Sequence, residues 1–399
     1  MNKVELLAPA GDLERLKFSF LYGADACYIG GLDYSLRANA QNFSLDQIKE
    51  ACLFAHKLNK KVYVTVNIIF HNEDTKDLEE YLKNLEICGV DAIIISDLFV
   101  AKLASEVAPN LKIHISTQTS TLNYEAVNFL KKLNVERVVL GREASREEIK
   151  EIIDKTKIEV ECFIHGAMCA SYSGRCVLSN YFTNRDANRG GCAQICRWCF
   201  PLYDTNDNEV LSDTKFTMST KDLSMITNIK DMIDIGIASL KVEGRMRSNY
   251  YIATVINTYR NAIDDYYKNN LTDEKIKYYQ KILNRCANRD NKEQFYNSFP
   301  TEQEQYYLGR NEVSNQDFLG IVIDYNEYNS EVTLSQRNYF KKGDVVEIFG
   351  PSIEPFTFTV PDIYDEEGNI LEVANHPEQI IKFKIPKKVY QYDIMRIKL

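Results

Sequence analysis

Short β-rich runs alternate with amphipathic helical stretches from the N-terminus onward, and this alternation restricts most of the chain to parallel strands. The strand candidates are Val4–Ala8, Ala26–Ile29, Lys61–Asn67, Ala92–Ser96, Lys112–Ser116, Arg137–Leu140 and Glu159–Ile164, with an eighth at Ser239–Glu243 after an interruption. Between them lie amphipathic patterns such as Ser44–Leu58 and Thr75–Cys88. Ser44 and Asp46 suit a helix start, and Gly89 suits a stop. Strand–helix alternation builds right-handed βαβ units and a parallel sheet. Eight strands predict closure into a TIM-like (β/α)8 barrel. The Gly-rich G-x-G-x-x-G turn of a doubly wound dinucleotide fold is missing from the sequence.

The 399 residues exceed the roughly 250 a barrel needs. Residues 1–290 are expected to form the catalytic barrel, with an insertion at about 166–214 between strands seven and eight. A helical stretch, Tyr250 to about Arg289, follows strand eight, and the polar region 291–315 reads as a linker. From Gly320 the chain changes character: GIVIDY, SEVTLS, DVVEIFG, FTFTV and IIKFKI are short alternating strands, predicting a small β-barrel domain over 316–399. Met1–Gly11 carries no evident targeting signal, and no run approaches the ~20 apolar residues of a membrane span. A cytoplasmic protein without membrane contact is the expectation.

Polar residues punctuate the strand ends: Asn67, Ser96-Asp97, Ile113–Ser120, Gly141-Arg142-Glu143, His165-Gly166 and Glu243-Gly244-Arg245. In a barrel these ends converge on the C-terminal face, where active sites lie. His114 and His165 are expected near one another there. Arg37, Arg142, Arg245 and Arg247 also fall at the mouth, and arginine forks bind carboxylates bidentately. The candidate catalytic residues are therefore His114, His165, Arg142, Glu243 and Arg245.

Net charge is −9, which argues against loose nucleic-acid binding but leaves room for local basic surfaces. One carries Arg175, Arg185, Arg189 and Arg197; the other carries Lys382, Lys384, Lys387, Lys388, Arg396 and Lys398. Six of the ten cysteines fall between Cys162 and Cys199. Without a secretion signal, disulfides are a poor explanation. Cys162 lies within strand seven and reads as buried. The rest are spaced Cys169-x6-Cys176-x15-Cys192-x3-Cys196, with Cys199 three residues on. Four thiolates enclose a zinc ion or an iron–sulfur cluster, and spacing alone leaves both open. Cys199 competes with Cys196 as fourth ligand, and Trp198 and Phe200 beside it can shield the site from water. No H-E-x-x-H occurs, so a zincin-type protease is unsupported. A Cys169–His165 nucleophile pair is conceivable, but the neighbouring cysteines argue for metal.

The stretch Glu161–Ser179, ECFIHGAMCASYSGRCVLS, resembles throughout the signature of the collagenase-like peptidase family U32. ELLAPAGDLERLKFSFLYGADACYIGG, IHISTQTSTLN, MSTKDLSMI and LKVEGRMRSNYY resemble the same family, so the likeness spans nearly the whole chain. Despite its name, the family includes RNA hydroxylases, and length and C-terminal extension favour its prephenate-dependent tRNA uridine hydroxylase branch. The resemblance implies a [4Fe-4S] cluster on Cys169, Cys176, Cys192 and Cys196, prephenate at the mouth arginines, and tRNA on the basic C-terminal barrel. It also implies two rival readings: a peptidase, and a scaffold subunit that needs a paralogous family member as partner.

Overall fold

The computed structural model describes residues 3–36, 41–210, 215–287, 289–308 and 317–398. Eight parallel strands close a barrel: β1 (Glu5–Pro9), β2 (Ala26–Gly30), β3 (Lys61–Val66), β4 (Ala92–Ile95), β5 (Lys112–Ile115), β6 (Val135–Val139), β7 (Glu159–Gly166) and β8 (Ser239–Val242). Each pairs with the next in sequence, and β8 returns to β1 with Ser239 opposite Glu5. Helices α1 (Leu13–Leu21), α2 (Leu45–Lys57), α3 (Leu78–Ile87), α4 (Leu98–Val107), α5 (Tyr124–Lys131) and α6 (Arg146–Thr156) cross between them. Local chemistry starts these helices where the sequence says. Ser44 and Ser145 form capping boxes with Gln47 and Glu148, satisfying backbone N–H groups that a helix leaves open. Outward strand residues such as Val62, Val64, Ile93, Ile95 and Ile113 pack beneath the helices.

The β7–β8 connection carries the cysteines, the short helix α7 (Leu178–Thr183), a short strand (Asp222–Ser224) antiparallel to β7, and α8 (Ile229–Asp234). The single helical stretch expected after β8 is two helices, α9 (Asn249–Tyr267) and α10 (Asp273–Asn284). Asn269 adopts positive φ at the break and Thr272 caps α10. Among the described residues, no helix is long and apolar enough to cross a membrane. Residues 291–308, expected as linker, instead pack on the barrel. Asn291–Lys292 pairs with Asp222–Leu223, and the buried Tyr296 donates its hydroxyl to Asp231 at 2.7 Å. A polar composition concealed these anchors; positions 309–315 lie outside the described residues.

Strand alternation turns Glu5, Tyr63, His114, Arg137, Glu161 and Lys241 into the barrel interior. Arg137 donates to Glu5 at 2.5 Å, Glu161 at 3.1 Å and Glu159 at 2.8 Å, while Lys241 donates to Glu161 at 2.8 Å and Tyr63 to Glu5 at 2.7 Å. Burial alone would raise the Glu161 carboxyl; Lys241 and Arg137 outweigh it and hold it below its ordinary range. Charges so deep are tolerated only because each is paired.

The C-terminal domain is antiparallel and all β. Its main strands are β9 (Phe318–Asn326), β10 (Glu331–Gln336), β11 (Val345–Gly350), β12 (Ile353–Thr359), β13 (Ile380–Lys384) and β14 (Ile394–Ile397), arranged β12-β11-β14-β9-β10-β13. Alternating residues such as Val332, Leu334, Ile381 and Phe383 fill its core. It is fastened to the barrel helices: Arg285 forks onto Asp317 with two bonds of 2.6 Å, Tyr250 donates to Asp317 at 2.7 Å, and Tyr22 donates to the Tyr392 carbonyl at 2.8 Å. Nearby, Asp393 is fully buried, and Gly350 lies so close that any Cβ there would strike its carboxylate. Burial raises Asp393 to about 6, against the pull of the Tyr390 N–H. Its folded pKa exceeds the unfolded value of ~3.9, so stability falls as pH rises from about 4 to about 6 and stays reduced above that. Asp393→Asn is expected to remove this dependence and stabilise the protein at pH 7 by no more than about 3 kcal/mol. Urea midpoints measured from pH 4 to 7 check it.

Candidate active site

The C-terminal ends of the barrel strands bring two of the five expected catalytic residues, Arg142 and Glu243, together. Arg142 follows β6 and lies over the Phe163 ring, 3.9 Å from its centroid. It donates to the Ala167 carbonyl at 2.8 Å and stands 3.8 Å from the Glu243 carboxylate. Tyr28 donates its hydroxyl to the same carboxylate at 3.2 Å. Arg245, two residues beyond Glu243, is buried; it donates to Ser35 at 3.0 Å and Thr65 at 3.3 Å, and also to the Leu36 carbonyl. Its fork thus pins the loop after β2, while Arg142 stands beside the Glu243 carboxylate. Asn67 and Ser116 bond to each other at 3.1 Å across β3 and β5. A guanidinium, a carboxylate and a phenol side by side can hold an anion and move a proton. Arg37 lies outside the described residues, and Arg247 packs over Tyr251 and lies 3.7 Å from Asp222.

The two histidines are not brought together. His114 lies inside the barrel, edge-on to Tyr63, and burial together with Arg137 and Lys241 holds its imidazole well below the ordinary range. It is a neutral interior group, not a mouth residue. In β7 the register slips between Phe163 and His165, setting His165 opposite Val242. A bulge re-aims the side chain beyond it. His165 therefore faces α9, where its Nδ1 is 3.4 Å from the Tyr259 hydroxyl and its ring also meets Tyr251. Burial lowers it to about 3, with Arg247 adding to the effect. Wedged between sheet and helix, it is not the base of a nucleophile pair.

The cysteine-bearing segment is clamped over the mouth by loops from three strands. Ser173 donates through N and Oγ to Glu143 at 2.9 and 3.1 Å. Gly174 takes a positive φ directly against the Gln118 backbone, where a Cβ would not fit. Arg189 forks onto Asp74, and Asn188 donates to the Cys176 carbonyl at 2.9 Å. Cys176 and Cys196 are pushed up first by burial, then by their neighbours: Cys169 and Cys192 act on both, and Cys176 also acts on Cys196. Those four thiols thus form one electrostatic group, and Cys199 is exposed next to Trp198 and Phe200 in the chain. Among the described residues, no three His, Cys, Asp or Glu side chains converge on a point suited to one metal ion. A zinc ion needs its sulfurs at about 2.3 Å from a common centre. As a donor set, four thiols suit a zinc ion or an iron–sulfur core.

The model of Peptidase family U32 matches residues 11–306, and that of the Peptidase family U32 C-terminal domain matches residues 314–396. The chain belongs to peptidase family U32. It is 49% identical over 400 residues to tRNA hydroxylation protein P1 of Bacillus subtilis (strain 168), covering 99% of this chain and 95% of that protein. It is 37% identical over 263 residues to a 23S rRNA 5-hydroxycytidine synthase of Escherichia coli (strain K12), covering 66% of this chain and 40% of that protein. It is 32% identical over 302 residues to a collagenase of Porphyromonas gingivalis (strain ATCC BAA-308 / W83), covering 72% of each.

Several mouth residues of this U32 chain escaped the reading by strand ends. Tyr28, Thr65 and Phe163 sit within strands rather than after them. Period-two alternation was the available signal, because it places all three on the inner face. Ser35 gave no signal, since its partners Thr65 and Arg245 lie 30 and 210 positions away.

Proposed function

We propose that this protein is an RNA-modifying enzyme that hydroxylates tRNA, converting the wobble uridine to 5-hydroxyuridine with prephenate as co-substrate. The observation that carries this reading is the 49% identity, over 99% of the chain, to a tRNA hydroxylation protein. Replacing a base C–H by C–OH is a two-electron oxidation, so the site needs an oxygen donor and an electron route. Cys169, Cys176, Cys192 and Cys196 would hold a [4Fe-4S] cluster, which supplies electron transfer when bound. Arg142 would hold a carboxylate of the co-substrate, and Glu243, steered by Tyr28, would accept or return the proton at the reacting base. The inner wall of Phe163 and Tyr28 would exclude water from that proton. Deleting the gene should remove 5-hydroxyuridine from digested bulk tRNA analysed by nucleoside mass spectrometry, and the wild-type gene should restore it. Unchanged wobble uridines in a strain without a second U32 gene would overturn the proposal. A Glu243→Gln gene that fully restores the nucleoside would remove Glu243 from its assigned role.

A further inference from the structure

We infer that unpaired RNA bases stack on an aromatic row in the cysteine-rich segment, and that the C-terminal domain is not the RNA-holding surface. This rests on the RNA-modifying reading above. The rings of Phe182, Phe200 and Trp198 follow one another with centroids 5.8 and 6.5 Å apart. Of these Phe182 is 54% exposed and Trp198 and Phe200 are half-buried, and Tyr181, next to Phe182 in α7, is 85% exposed. Apolar rings scattered singly on a surface need no explanation; a contiguous set does. The local charge indicates what covers it. From position 167 to 200 the acid Asp186 faces Arg175, Arg185, Arg189 and Arg197, within a chain of net charge −9. Arg189 is spent on Asp74, while Arg175 and Arg185 are exposed. Rings for base faces with cations for phosphates form the pattern of single-strand binding. A duplex would present its base faces only to each other, so the occupant is an unpaired loop. The row belongs to the same segment whose Ser173 and Gly174 meet Glu143 and Gln118 at the strand ends, so a strand stacked there is led towards the barrel mouth.

The basic C-terminal stretch does not offer the same. Arg396 is buried and bonded to Glu347 at 2.6 Å. Lys388 pairs with Glu327. Lys382 and Lys384 share their cavity with Glu331, Asp362, Asp365 and Glu366, which cancel their field.

The test measures binding of the full-length protein to a fluorescent RNA hairpin with an unpaired loop, and to a blunt duplex of equal length, at several salt concentrations. Wild type should prefer the hairpin. Tyr181→Ala with Phe182→Ala should weaken hairpin binding about tenfold or more with an unchanged salt slope, as expected for lost stacking. Arg175→Gln with Arg185→Gln should flatten the log–log salt slope by about 1.4, at ~0.7 per phosphate contact. Lys382→Gln with Lys384→Gln should change neither. Hairpin binding that survives the aromatic pair with unchanged affinity, or that is lost in the lysine pair, overturns the assignment. So does wild-type self-association abolished by the aromatic pair at constant RNA affinity, which would give the row to a second copy of the chain. Wild type that binds no RNA even at low salt would overturn the RNA-modifying reading itself.

Discussion

Cys196→Ser is expected to abolish bound iron and acid-labile sulfide, while Cys199→Ser keeps both. The two cysteines are three residues apart, and sequence spacing favours neither strongly. The fold separates them. Cys196 is half-buried, its carbonyl accepts from Thr217 at 3.3 Å, and it feels the charges of Cys169, Cys192 and Cys176. Cys199 is exposed. Thiolate is the form that binds iron, and a serine hydroxyl does not ionise at neutral pH, so the change removes a ligand while preserving shape. Loss of a direct ligand should lower hydroxylation more than the 10–100-fold typical of changes around a metal site, that is, by more than about 100-fold. Anaerobic purification followed by iron, sulfide and zinc analysis and electron paramagnetic resonance checks this. The reverse pattern would make Cys199 the ligand, and one zinc per chain without sulfide would replace the cluster.

The barrel was legible because its determinants are local. Most strands are short apolar runs, α1, α2, α4, α5 and α6 start at a capping aspartate, serine or asparagine, and the repeated strand–helix alternation leaves few alternatives. The mouth was legible in part for the same reason: Arg142, Glu243 and Arg245 follow directly from strand ends. His165 was not, because the one-residue slip beside Phe163 leaves no trace in composition, yet it reverses the direction of everything after it. His114 sits one layer deeper than a strand-end argument implies. Arg245 carries the residue type that grips anions, but Ser35 and Thr65 engage it, and neither is near it in sequence. Arg396 looked like part of a basic surface until the pairing of β14 with β11 set it against Glu347. In each case the missing information was a tertiary partner.

The buried charges beneath the mouth should dominate stability. Arg137→Met is expected to destabilise the protein by about 3–5 kcal/mol at pH 7, because it leaves buried carboxylates without their cation. Glu161 has no exposed surface and would keep only Lys241, while Glu5 would keep only the Tyr63 and Ser239 hydroxyls. Against a typical total of about 5–15 kcal/mol, this is a large share. The sign of the pH dependence follows from the depressed Glu161 carboxyl. Its stabilising contribution is present above the unfolded value of ~4.3 and is lost as pH falls through the folded value. In Arg137→Met that contribution shrinks, so the deficit against wild type should be greatest at neutral pH and narrow as falling pH protonates the orphaned Glu161 carboxyl. Urea unfolding at pH 7 and pH 4.5 measures both. Adding Glu161→Gln to Arg137→Met should recover part of the loss, since an amide costs far less to bury than an unpaired carboxylate. Wild-type stability in the single variant would mean that water already solvates these carboxylates. The damage should also reach the mouth: Lys241 lies 4.4 Å from the Tyr28 ring centre and 5.4 Å from that of Phe163, the two rings that position Glu243 and Arg142. A barrel floor with mismatched charge therefore loosens the residues that would meet the substrate.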